Sequence, residues 1–237
     1  MKKRLLSMML ALSMMLTLLP PGALAANASG AEQTLAQENS TTALITVQDL
    51  VIGADGYPES TSGSGWHYDA AYREPFWGNK IPAIVIEEGA FIDFDQITKK
   101  TDTLQCSLAN EGSFTGTLNT AEYVLNASTG TMKNATLTGK KFNNDGVVED
   151  SKLVFSDASY NGAGLSRGAH SYIRRSALDM TGSFFANMID SGVLEDCYNS
   201  PDYVVPAYAR LVSSGIIRST GAATGTLKLP IQNSSGT

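Results

Sequence analysis

Two cysteines, two histidines and two tryptophans in 237 residues leave little material for metal or thiol chemistry. No Cys/His cluster has the short ligand spacing of a zinc site. No Gly-x-x-x-x-Gly-Lys or dinucleotide phrase appears, which removes the usual phosphate cradles. No Ser-His-Asp arrangement can be read from the neighbours of His67 and His170. Charge is scarce, at 17% of residues, and its balance is negative, with 17 Lys and Arg against 23 Asp and Glu. Such a chain repels nucleic acid and anionic lipid, so neither is expected as a partner. After the N-terminal segment, no apolar run approaches the roughly 20 residues that a membrane span needs.

The N-terminal segment itself reads as an export signal. Met1-Lys2-Lys3-Arg4 is a basic start, Leu5 to Leu19 is mostly apolar, Pro20-Pro21 breaks a helix, and Ala23-Leu24-Ala25 fits a small-x-small cleavage site. Cutting after residue 25 leaves 212 residues and a net charge of −9 in place of −6, since Lys2, Lys3 and Arg4 are lost. That length suits one sizeable domain outside the cell, with no membrane contact after cleavage. Cys106 and Cys197 both stand in strand-like text. An exported chain can join them in a disulfide, or they stay as buried thiols on different layers.

Residues 26–41, rich in Ala, Ser, Asn, Glu and Gln, read as a flexible lead-in. Residues 42–100 form an N-terminal capping and aromatic segment. Within it, Ile81–Ile86 and Phe91–Ile97 are strands, because β-branched and aromatic residues dominate them.

From residue 101 to 229 the text repeats. Gly146-Val-Val-Glu-Asp-Ser151 returns as Gly192-Val-Leu-Glu-Asp-Cys197 and again as Gly215-Ile-Ile-Arg-Ser-Thr220. The glycines at 192 and 215 are 23 residues apart, and those at 146 and 192 are twice that. A fixed period of this size marks layers that bury their apolar side only by stacking on neighbours. The Gly is expected to serve the bend through positive φ. The interval between Gly146 and Gly192 needs one more layer, so the segment 169–180 is read as strand through Tyr172-Ile173 and Ala177-Leu178, against its helix-like apolar spacing. A 23-residue layer also sets Glu195 beside Arg218 as a stacked ion pair. Pro201 and Pro206 predict a loop bulging from the stack. Residues 230–237 are read as a tail.

On the phrase Asp190-Ser-Gly-Val-Leu-Glu-Asp-Cys197 and its partners, the chain resembles right-handed parallel β-helix proteins of the pectate-lyase-like superfold, over residues 101–229. The fold class implied is all-β, a solenoid with an N-terminal cap. Gly63-Ser-Gly-Trp-His-Tyr-Asp69 is similar to an opening phrase, Gly-x-Gly-Trp-x-Tyr-Asp, of bacterial surface proteins classed as carbohydrate-binding. The lyases' Asp cluster and their Arg-Pro-x-x-Arg have no counterpart in this chain, so no catalytic residue carries over.

Candidate ligand contacts are Trp66, Tyr68, Tyr72 and Trp77. Flat rings stack on sugar C–H faces, or else they plug the open end of a stack. Which way the indoles point decides between the two. Asp93 and Asp95 alternate with apolar residues, so both carboxylates leave one face of a strand about 6.5–7 Å apart. They are the candidate calcium ligands, or otherwise a solvated face, and no other cofactor is expected. The function expected is a non-catalytic secreted or cell-surface module that binds polysaccharide or cell-wall glycan. The alternatives are a polysaccharide lyase or glycoside hydrolase on the same fold, and a structural adhesin or stalk.

Overall fold

The computed structural model describes residues 44–74, 78–162, 171–186, 192–213 and 215–233. All belong to one compact unit, Thr42–Thr237. The segments expected to be an export signal and a lead-in lie outside the described residues. Among those described, the protein is all-β, without helix, and long parallel sheets dominate it.

One ten-stranded sheet runs Ile45–Thr46, Ala90–Asp93, Ser113–Asn119, Thr131–Gly139, Val147–Glu149, Tyr172–Arg174, Val193–Glu195 and Ile216–Arg218, with Lys152–Phe155 and Ala177–Leu178 alongside. The second runs Ser62–Gly63, Trp66–Arg73, Lys80–Ile86, Ser107–Asn110, Tyr123–Asn126, Lys141–Asn144, Ser159–Asn161, Ser183–Ala186, Arg210–Ser213 and Ile231–Asn233. From Lys80 onward the chain passes from one sheet to the other and back, adding a layer to each. Pairing in both sheets is parallel, except where Trp66–Arg73 runs antiparallel to its two neighbours at the start of the second.

Register follows the repeat. Leu194 pairs with Ile217, and Glu195 with Arg218, in parallel. Tyr172–Arg174 lies between Val147–Glu149 and Val193–Glu195, so the segment with helix-like spacing supplies the missing layer as strand. Parallel layering begins before residue 101, since Phe91 pairs with Ser113 and Ala83 with Ser107. It also continues past 229, where Ile231–Asn233, read as tail, pairs with Arg210–Ser213.

Side chains alternate along each strand, so every other residue enters the space between the sheets. Ile92, Phe114, Met132, Val148, Ile173 and Leu194 form one continuous inward column from the first sheet. None of the six is more than 2% exposed. Each such burial is worth about 1.5–3 kcal/mol, so this column holds the stack together. The second sheet contributes Ile84, Leu108, Val124, Phe142, Phe184 and Leu211 to the same core.

Beside that core runs a column of buried amides. Asn110 Nδ2 donates to Asn126 Oδ1 at 2.8 Å, Asn126 Nδ2 to Asn144 Oδ1 at 2.7 Å, and Asn144 Nδ2 to Asn161 Oδ1 at 2.7 Å. Each amide also donates to the bend carbonyls, as Asn126 does to Gly130 O and Val147 O. Ile86 occupies the register position before Asn110, so the ladder ends there and Asn110 Oδ1 has no donor.

The bend glycines act differently from expectation. A Cβ on Gly146 would overlap Gly130 O and Ala127 O in the layer before, so glycine is required for close approach. Among the described non-glycine residues, positive φ falls on Asn134, Asp150, Arg175 and Asp196, at 52°, 51°, 45° and 52°. Each follows the last outward residue of a first-sheet strand or half-strand, and the four corners stack. Asn and Asp tolerate this conformation best; Arg175 adopts it while its side chain is tied to Asp150.

Candidate functional site

The sequence-predicted ring residues divide. Trp66 is completely buried, and its indole N–H donates to Asp49 Oδ1 at 2.7 Å. Asp49 Oδ2 accepts the Ser64 backbone N–H at 2.9 Å. The backbone donor and then the indole hold the Asp49 carboxyl below the usual carboxylate range. Gly63 has to be glycine, because a Cβ there would strike both the indole and the Asp49 carboxylate. Trp66 is therefore a core plug, and its proposed role as a sugar-stacking ring is corrected: a ring sealed on all sides presents no face to a ligand.

Tyr68 packs partly buried against the core, edge-on to Tyr57 at 6.3 Å between centroids. Tyr72 sits partly buried with Ile81 and Tyr123 over Ala83, Val85, Ala109 and Leu125, and burial pushes its phenol up to about 12. Trp77, with Phe76 and His170, lies outside the described residues. His67 Nδ1 is 2.9 Å from Glu87 Oε1, on a half-exposed surface.

Asp93 and Asp95 do not share a strand face. The strand ends at Asp93, and Asp95 lies in the following turn. Asp93 Oδ1 accepts the Asp95 backbone N–H at 3.1 Å, while Asp95 Oδ1 accepts the Thr117 N–H at 3.0 Å and stands 3.8 Å from Lys99 Nζ. Both carboxylates thus serve the turn. Among the described residues no group of three or more His, Cys, Asp or Glu converges in a way that could hold a metal ion. Cys106 and Cys197 are free thiols, and burial pushes both up to about 12.

The outer faces of the two sheets differ in chemistry. On the first, Lys133, Glu149, Arg174, Glu195 and Arg218 occupy successive layers at one register position. Charge alternates along them, with Lys133–Glu149 at 3.7 Å, Arg174–Glu149 at 3.2 Å, Arg174–Glu195 at 3.8 Å and Arg218 Nε–Glu195 at 2.7 Å. Glu149 and Glu195, the carboxylates of this ladder, are thereby committed to ion pairs.

The second sheet presents rings and cations. Val85, Ala109, Leu125, Asn143, Tyr160, Phe185, Val212 and Gln232 form one outward column. Tyr160 and Phe185 stack at 5.1 Å with 16° between planes. Lys141 Nζ lies 5.3 Å from the Tyr123 ring centroid and 5.4 Å from that of Tyr160. Beside the column, Glu74 is wholly buried, and its carboxylate accepts from Asn79 Nδ2 at 3.2 Å and Asn143 Nδ2 at 3.1 Å. Sequence reasoning missed these residues. Tyr123, Tyr160 and Phe185 are scattered single aromatics until register aligns them, and Glu74 meets Asn143 across 69 residues of chain.

The loop from Asn199 to Ala209 flanks the same face. Lys228 Nζ donates to Ser200 O, Pro201 O and Tyr203 O at 3.2, 3.0 and 3.1 Å, which uses all three of its protons. The Tyr203 hydroxyl donates to Met180 O, and Asn199 Nδ2 to Leu178 O. On this fixed loop Val204 and Tyr208 are 82% and 87% exposed. Rings, cations and a rigid loop make a face suited to binding. Glu74, the buried carboxylate beside the column, is enclosed by amides and does not reach solvent.

No protein-family model, no curated protein and no solved structure matches the chain.

Proposed function

We propose that the protein is an exported module that holds polysaccharide or cell-wall glycan at the outside of a cell, without turning it over, on a right-handed parallel β-helix. The alternation of strands between two parallel sheets supports the winding, and parallel crossovers prefer the right-handed sense. The observation that carries the binding reading is the outer face of the second sheet, where Tyr123, Lys141, Tyr160 and Phe185 meet across successive layers. Layers repeat at about 4.8 Å, so such a face offers ring surfaces at intervals, which suits a repeating polymer.

The test is a glycan-array screen with and without calcium, followed by assay of each bound glycan for new reducing or unsaturated ends. Binding without product supports the proposal. Product formation transfers the chain to the lyase and hydrolase class, and absence of binding to every glycan overturns it. A stalk is the second reading, favoured by the amide and ion-pair ladders that run along the stack; it requires that no glycan bind.

A further inference from the structure

The loop that ends at Ala209 closes a pocket of about 340 Å³ lined by Ser183, Ala207, Tyr208, Ala209, Arg210 and Pro230. Its chemistry is uneven. Ala207, Ala209 and Pro230 make an apolar wall, Tyr208 offers an almost fully exposed ring, and Arg210 is exposed at the strand start beside Ser183. No carboxylate among the described residues pairs with Arg210, although every arginine of the ion-pair ladder has an acidic partner. No lining residue is acidic.

We infer that this pocket binds a sugar unit carrying a carboxylate, with Tyr208 stacked on the ring and Arg210 paired with the acid group. This rests on the glycan-binding reading and names the ligand class within it. A pyranose has an apolar C–H face and an equatorial rim of polar groups. A neighbouring ring and guanidinium match that combination, because the planar fork takes a carboxylate in two parallel hydrogen bonds.

An acidic peptide fits less well. Peptides dock on sheets by adding to a free strand edge, and Arg210–Ser213 has both edges occupied, by Ser183–Ala186 and by Ile231–Asn233. The net charge of −6 opposes an acidic ligand at a distance, but fields are screened within about 8 Å at physiological salt. The groups lining the pocket therefore decide. Lys228 ties the start of the loop at Ser200, Pro201 and Tyr203, and the Ala209 N–H donates to Pro206 O at its end, so both ends of the loop are held before a ligand arrives.

The experiment is calorimetric titration of the protein with a glucuronate-bearing hexasaccharide, its carboxyl methyl ester, and poly-L-glutamate. The native protein is expected to bind the acid at least tenfold more tightly than the ester and to leave poly-L-glutamate unbound. Arg210→Ala should erase the difference between acid and ester while ester binding persists; Arg210→Lys should restore part of it; Tyr208→Ala should weaken both sugars. Both positions are exposed, and thermal midpoints check that the three variants fold. Equal affinity for acid and ester in the native protein, or an unchanged ratio in Arg210→Ala, overturns the inference while the glycan-binding reading stands. Tight binding of poly-L-glutamate also overturns it, in favour of a peptide site. Failure to bind any glycan on the array overturns both.

Discussion

The Asn126 side-chain amide spans two layers of the stack, accepting from Asn110 and donating to Asn144 Oδ1 at 2.7 Å. It also satisfies Gly130 O and Val147 O. Removing it strands groups that lie out of reach of water. Asn126→Ala is therefore expected to lower the unfolding free energy by about 1–3 kcal/mol in urea titration, the range for unsatisfied buried polar groups. A loss below that of a surface substitution would remove the ladder from the account of stability.

Trp66 fills the core and Tyr208 stands in water. Trp66→Ala should cost about 3–5 kcal/mol, the range for deleting a large buried aromatic. Tyr208→Ala should stay within about 0.5 kcal/mol of the native protein. Thermal or urea melts of the two variants, set beside their glycan binding, separate a plug from a contact residue.

The ion-pair ladder should be uneven in strength. Arg218, at its end, has one carboxylate and is half exposed, so Arg218→Ala should cost no more than about 1 kcal/mol and less in high salt. Arg174 lies between Glu149 and Glu195, both mostly covered, so Arg174→Ala should cost more than Arg218→Ala. Denaturation at low and high salt, with a double-mutant cycle on Arg174 and Glu149, reads the difference.

Acid should loosen the fold through carboxylates whose folded pKa is depressed. The Arg175 guanidinium holds Asp150 low, the Thr220 hydroxyl holds Asp196 low, and the Ser64 N–H with the Trp66 indole holds Asp49 low. For a depressed acid, stability is fully present above the unfolded value near 3.9 and is lost as pH falls through the folded value. Stability is thus expected to fall on acidification below about pH 4, with a shallower fall in Asp49→Asn. Urea midpoints between pH 2 and 6 measure it.

Both thiols are pushed up to about 12, so the thiolate is rare at pH 8. Iodoacetamide should leave Cys106 and Cys197 unmodified in the native protein and label both in urea, as read by mass spectrometry. Rapid native labelling would contradict their burial.

Much of the stacking was legible because repetition writes itself into spacing. The 23-residue interval between Gly192 and Gly215 predicts that Leu194 meets Ile217 and Glu195 meets Arg218, and both pairs stand in register. The strand at 172–174 followed from the same count. The asparagine ladder was not read, since its steps of 16, 18 and 17 residues differ from that period. Layers grow or shrink at their bends without disturbing the strands, so linear distance loses track of which residues stack.

The destination of a side chain was harder to read. Trp66 and Tyr208 are both aromatic residues in strand- or loop-like text, yet one is sealed in the core and the other is open to water. Alternation along a strand gives two faces without saying which is inside, and a residue beyond a strand end, such as Asp95, leaves the alternation altogether.

The sequence by itself determined the all-β character, the repeating layers and the pairing of the last of them, because a periodic apolar pattern can bury itself only by stacking in register. Only the tertiary structure decided which outer face carries charge and which carries rings, that Glu74 reaches Asn143, and that Arg210 has no acidic partner among the described residues. Those outcomes depend on how loops of unequal length bring distant layers together, and no local pattern encodes that distance.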